Sequence, residues 1–293
     1  AFKSRVIADG GTVESPSCAK SDVKFLLDNP VPLAFTGLLN DYSGAAAAYS
    51  LRLLDNTYTG DAIVVTTNGS DSASIGFVNN ELDTASLEAF AGGGDAYVSV
   101  WYDQSGNGNN ATQTTFSSMP KIVSAGSTIL DNGKPAVYFN GSHYIENSNI
   151  FNEPTISIVS IHNNYSTTSS RRNFGLRGDI GISRSTFAQD SDNSLRYDGA
   201  FTAGTLAASI SQKVRYSQRQ TNHAYDYING VENINSVEAL PNIIAQPSVG
   251  AVIASVASLY IGTFQEGIIW FSDELTSRTG IESNINSHYN IYP

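Results

Sequence analysis

The stretch WYDQSGNGNNATQ, Trp101 to Gln113, sets an acid, an amide, a serine, two glycines and three asparagines within eight residues, directly behind two aromatics. Three chemistries use such a set. As a metal loop, Asp103, Asn107 and Asn109 would offer side-chain oxygens to calcium, although that ion takes about six to eight oxygens and more than one acid. As a sugar-facing loop, Trp101 and Tyr102 would supply apolar ring faces and Asn109 an amide. As a turn, Asp103 would accept bonds from nearby backbone N–H groups. Gly106 and Gly108 would then take positive φ, and the asparagines would tolerate left-handed backbone. The residue types favour the turn and leave the other two open.

A second set lies further along. From Asp28 to Glu153 there are 13 acids against 3 bases, whereas from His162 to Asn222 there are 4 acids against 8 bases. Arg171, Arg172 and Arg177, with Tyr197 and Tyr225, combine guanidinium forks with aromatic faces, which suits an anionic polysaccharide on a host surface. Contact through exposed charges would weaken as salt rises. The four histidines, His143, His162, His223 and His288, are too far apart for a zinc pattern. FAGGGD lacks the Lys-Ser/Thr of a phosphate loop. No cofactor is expected beyond the calcium alternative.

These residues need elements to position them. SGAAAAYSLRLL, Ser43 to Leu54, is alanine-rich and predicts a helix. DAIVVTT and AYVSVWYD predict strands on either side of a short helix, DTASLEAFAGGG, capped by Asp83 or Thr84. After Pro120 the chain reads almost wholly as short β runs: PAVYFNG, TISIVSIHN, NFGLRGDIGIS, SLRYDG, HAYDYINGVEN, SLYIGTF and EGIIWFSD. Asn229-Gly230 signals a type I′ hairpin. A helix capped by Ser272 or Asp273 closes the sequence. The expected architecture is all-β with a few short helices, a sandwich or jelly roll spanning 28–293. Trp101, Tyr138, Phe139, Ile158, Ile261 and Trp270 are expected on inward faces. Residues 1–27 form a separate arm, too short for its own core, which would dock on another subunit.

Net charge is −11, which sets aside nucleic acid as a general partner. No run approaches the roughly 18 apolar residues of a membrane span, so membrane insertion is not expected. Charged residues are only 15%, and Ser, Thr and Asn carry the polarity, as in extracellular and virion-surface β proteins. Cys18 is the lone cysteine, AFKSRVIADGG has no signal-peptide core, and Met119 is the single methionine. This combination points to synthesis in a reducing bacterial cytoplasm and release as part of a virion.

YSLRLLDNTYTGDAIVV, LDTASLEAF and AYVSVWYDQSGNGNNATQ, in that order, resemble the opening of the arabinofuranosidase B-type catalytic domain, a concanavalin-like jelly roll. A similar block occurs in phage and bacterial structural proteins. LYIGTFQEGIIWFSDELTSRTGIESNINSHYNI is similar to the closing strands and helix of laminin-G-like and concanavalin-like lectin domains. The first resemblance covers roughly Ala45 to Pro120. It implies the fold, and in the enzymes a Glu nucleophile and an Asp acid lying beyond the shared block. A retaining glycosidase holds two carboxyl groups roughly 5–5.5 Å apart. Asp179, Asp190, Asp192, Asp198, Asp226 and Glu266 are the acids available there, and none sits in a matching local sequence. No catalytic residue is therefore assigned. The sequence suggests a homo-oligomeric phage virion subunit (fibre, tail or capsid decoration) with a lectin-like domain. A stand-alone carbohydrate-binding module and an arabinofuranosidase-like hydrolase are the alternatives.

Overall fold

The computed structural model describes residues 35–149, 151–165, 172–177, 186–190, 195–197, 200–202, 206–207, 209–220, 222–237, 243–250 and 260–293. The expected 1–27 arm lies outside them. The body from Thr36 to Pro293 is built on one large antiparallel sheet folded into two facing layers, called the first and second sheets below, which stay joined where Lys121–Ser124 pairs with both Val137–Asn140 and Ala96–Trp101.

The first sheet is organised around its longest strand, Ile261–Trp270. On one edge that strand pairs with Ala45–Ser50 and, further along, with Val137–Asn140. On the other edge it pairs with Ile156–Asn164, and Gln212–Gln220, His223–Ile228 and Val231–Val237 follow in turn. The second sheet runs, in order, Ala73–Ile75, Ile63–Thr66, Ala96–Trp101, Ala111–Thr112, Ile145–Glu146, Ile243–Val249 and Arg172–Arg177. Thr186–Asp190, Leu195–Tyr197 and Ala200–Thr202 extend it. The all-β sandwich expected from the sequence is present.

The first sheet is covered on both faces. Between the sheets lie Tyr49, Trp101, Phe139, Ile158, Phe174, Phe264 and Ile269. On its outer face, Ala48, Val159, Val214, Tyr216, Ile268 and Trp270 meet Leu38 and Leu39 of a short helix and Ile281, Ile285 and Tyr289 of the C-terminal helix, Arg278–Tyr289. This double burial explains why the strand ends on three consecutive apolar residues, Ile268, Ile269 and Trp270, instead of alternating. Each large apolar side chain fully removed from water there is worth about 2–3 kcal/mol.

Several expectations need correction. Ala45–Ser50 is a strand, not a helix. Alanine's helix preference is under 1 kcal/mol per residue, and pairing with the central strand plus burial on both faces outweighs it. Ala47 and Tyr49 face the inter-sheet core, and Ala45 and Ala48 face the helices. Tyr138 and Ile261 are only partly buried. Tyr138 adjoins inward-facing Phe139 on one strand, and successive strand residues point to opposite faces. Trp270 is buried, but beneath the helices and not between the sheets. Ile261–Phe264 of SLYIGTF and Glu266–Trp270 of EGIIWFSD lie on one strand, bulged opposite Ile161 and His162. The last helix starts after Ser277, not at Ser272 or Asp273; Asp273 instead accepts bonds from Leu275 N and Gln218 Nε2. Thr84–Ala91 behaves as expected, with Asp83 accepting from Ser86 N and Gly92 in the left-handed region. Asn229 and Gly230 have φ of 50° and 76°, as a type I′ turn requires.

Candidate functional site

The Asp103 loop leaves the second sheet after Trp101 and lies along the free edge of the Ala45–Ser50 strand. Asp103 Oδ1 accepts from Ala48 N and Ser105 N, both at 2.8 Å, and Oδ2 from Ser105 Oγ at 2.7 Å and Asn109 N at 2.9 Å. Gln104 N donates to Ala48 O. Gln104 Nε2 donates to the carbonyls of Ser50 and Arg52, and its Oε1 accepts from Leu54 N. Asn107 Nδ2 and Asn109 Nδ2 donate to the carbonyls of Ala45 and Ala46 at 2.9 and 2.7 Å. The loop thus replaces a neighbouring strand, with side chains doing what backbone would do in a ladder.

That accounting decides two of the three loop chemistries. All four acceptor positions of Asp103 are filled by protein donors, and Asn109 Oδ1 accepts from Asn149 Nδ2. The calcium alternative at Asp103, Asn107 and Asn109 is left with Asn107 Oδ1 as its one free side-chain oxygen, far short of the roughly six to eight that calcium takes, and no cluster of three acidic, His or Cys groups suited to a metal occurs among the described residues. Trp101 is fully buried, packs edge-on against Phe264 and donates Nε1 to Ser50 O, so its ring cannot face a sugar.

Asn109, however, borders an open groove of about 640 Å³. Gly44, Ala45 and Ala46 form one wall, with Asn107 and Asn109 beside them. Phe151, Glu153, Phe271 and Ser272 form the rest. Phe151 and Phe271 are half-buried, with ring centroids 4.7 Å apart at 51°, and provide an apolar platform. Asn149 Nδ2 donates to Asn109 Oδ1 at 2.7 Å and fixes that amide. Glu153 is partly exposed, and among the described residues its carboxylate has no hydrogen-bond or ion-pair partner. An aromatic platform edged by an amide and a carboxylate is what a saccharide, with apolar faces and a hydroxyl rim, would contact. The sequence reading reached Asn109 but missed Phe151, Glu153 and Phe271. Phe271 was accessible by alternation, since it follows buried Trp270; the other two sit on a three-residue strand, Phe151–Glu153, with no periodic signal.

Of the six acids weighed as catalytic candidates, Asp226 and Glu266 have described side chains, and both are locked. Glu266 is fully buried, accepts Arg52 Nε at 2.8 Å and Nη2 at 3.1 Å, and also takes Ser50 Oγ at 2.7 Å. Burial alone would depress the Arg52 guanidinium, but Glu266 beside it raises it above its ordinary value. Asp226 is fully buried between the sheets, pairs with Arg215 Nε at 2.9 Å and accepts from Asn233 Nδ2 at 2.6 Å and from Ser217 Oγ. Nearby Lys213 is brought down to about 8, by burial first and by Arg215 second. Asp179, Asp192 and Asp198 lie outside the described residues, and of Asp190 only the backbone is described.

The basic and aromatic set falls largely outside the described side chains. Arg171 lies outside the described residues. Arg172, Arg177 and Tyr197 have described backbone only, on strands of the second sheet. Tyr225 is on a first-sheet strand, stacked on His223 at 4.2 Å. Asp226 of that strand faces the second sheet, so by alternation Tyr225 faces away from it.

No family model and no curated protein matches this chain in sequence. Solved structures match in fold. A GH54 α-L-arabinofuranosidase soaked with a cyclic sulfate inhibitor superposes with a TM-score of 0.64 at 12% identity, over 82% of this chain. A mutant of a GH54 α-L-arabinofuranosidase soaked with 4-nitrophenyl α-L-arabinofuranoside gives 0.65 at 12% identity, over 82% of this chain. An arabinofuranosidase complexed with arabinofuranosyl-α-1,2-xylobiose gives 0.61 at 13% identity, over the same 82%. The chain spans 62% of the length of each of these proteins. The shared property is the β-sandwich fold.

Proposed function

We propose that this chain is a lectin-like, carbohydrate-binding β-sandwich without glycosidic chemistry, carried as a fibre, tail or decoration subunit of a phage virion. The observation that carries the binding reading is the groove, where the Phe151–Phe271 platform meets Asn107, Asn109 and Glu153. The similar folds include one described in complex with an arabinofuranosyl-xylobiose and another with an aryl arabinofuranoside, which makes pentose-containing glycans a sensible first panel. The sealed states of Asp226 and Glu266 support binding over hydrolysis. The virion setting rests on the low charge, the Ser, Thr and Asn surface and the lone cysteine.

The test is titration calorimetry of the full chain against neutral and charged oligosaccharides, with Phe271→Ala beside it. Loss of that ring should weaken binding about tenfold, or 1.4 kcal/mol. Hydrolysis of an aryl arabinofuranoside should stay at the uncatalysed rate. Binding that survives Phe271→Ala unchanged would move the site elsewhere, and turnover would restore the hydrolase reading. Co-purification with intact particles tests the virion setting separately.

A further inference from the structure

The polar inventory of the groove is one-sided. Most side-chain donors lining it are engaged inside the protein: Asn107 Nδ2 with Ala45 O and Ser105 Oγ, one N–H of Asn109 Nδ2 with Ala46 O, and Ser272 Oγ with Glu274 Oε1. The second Asn109 N–H is the one side-chain donor left, and the other free side-chain atoms are acceptors. The Glu153 carboxylate has both oxygens unused, and Asn107 Oδ1 accepts no bond. Among the described residues no Lys, Arg or His lines the groove, and Glu153 is the single ionisable group. Arg219 is 1% exposed and donates Nη1 to the backbone carbonyls of Glu153 and Pro154.

A carboxylate accepts only, an ammonium donates only, and a hydroxyl does both. A sugar carboxylate or sulfate would therefore meet a single side-chain N–H, that of Asn109, beside the negative charge of Glu153, and desolvating it there has little compensation. We propose that the groove selects by ligand donors: it takes amino sugars first, neutral sugars next, and excludes acidic sugars, with Glu153 as the specificity-determining residue. This rests on the carbohydrate-binding reading above.

The experiment is calorimetry of the full chain with three tetrasaccharides: glucosamine, N-acetylglucosamine and galacturonic acid. The glucosamine oligomer should bind about five- to tenfold tighter than the N-acetylated one, the range of a half-exposed charge-assisted hydrogen bond. The galacturonate should bind weakest. Glu153→Gln should bring the first two to parity and leave affinity for the N-acetylated oligomer unchanged. Glu232→Gln, on the distant edge strand, controls for general attraction of cations to a chain of net charge −11 and should change nothing. Equal affinities in the parent chain, or a preference that survives Glu153→Gln, would overturn the inference while leaving a carbohydrate module intact. Tightest binding of galacturonate would overturn it outright. No binding of any oligomer would remove the module itself.

Discussion

Asp103 shows how one side chain can hold an element in place. Its carboxylate is nearly buried and accepts four bonds from the backbone of its own loop, the side chain of Ser105 and the neighbouring strand. Removing it leaves Ala48 N and Asn109 N, both in buried positions, without partners. Each orphaned buried donor costs about 1–3 kcal/mol. Asp103→Ala should therefore lower unfolding free energy by about 3 kcal/mol in urea titration. Asp103→Asn, which keeps acceptor capacity at one oxygen only, should fall between. A drop within 0.5 kcal/mol (~the scatter of surface substitutions) would mean that the loop is not holding the Ala45–Ser50 edge.

At the level of elements, the C-terminal helix is seated by the absence of a side chain. A Cβ on Gly280 would stand 1.9 Å from Tyr42 Oη, so the helix can lie close to the chain segment that leads into the first strand. Tyr42 O also accepts from Trp270 Nε1, tying that segment to the central strand. Glycine inside a helix costs up to about 1 kcal/mol against alanine, so propensity alone says Gly280→Ala should stabilise. Contact says the reverse, because overpacking costs about 1–3 kcal/mol. We expect Gly280→Ala to lower the melting temperature, and Gly280→Ala with Tyr42→Phe to recover part of the loss. A stabilised single variant would show that the helix can shift without cost.

For the whole molecule, stability should fall in acid. His288 is pushed down to about 4, by burial first and by Arg52 second, and His162 is pushed well below its ordinary value, by burial and then by Lys213 and Arg215. Both are neutral in the fold. With a folded pKa below the unfolded one, their stability contribution is present above about pH 6.5 and is lost as pH falls toward 4 and below. His288 alone should account for about 2–3 kcal/mol across that window, allowing for its partial exposure. Denaturation at stepped pH should show the slope in the parent chain and a shallower one in His288→Gln. An unchanged slope would assign the acid loss to His162 and the carboxylates.

Local chemistry made part of this protein legible in sequence. The β-branched and aromatic runs, the Asn229-Gly230 turn and the Asp83 cap act over a few residues, so the sandwich class and those boundaries follow from short stretches. The turn-forming character of the Asp103 loop was legible for the same reason. Tertiary contact decided what local preference could not. Four alanines became a strand because the central strand offers backbone partners and two apolar layers offer burial, a sum larger than their helix propensity. Trp101 lies in the core, as strand alternation indicated, and its sugar-facing alternative is closed because burying the indole outweighs an exposed role. The groove assembles Phe151 and Glu153 with Asn109 and Phe271 from three separated segments. Their spacing along the chain carries no period, so only folding could place them side by side.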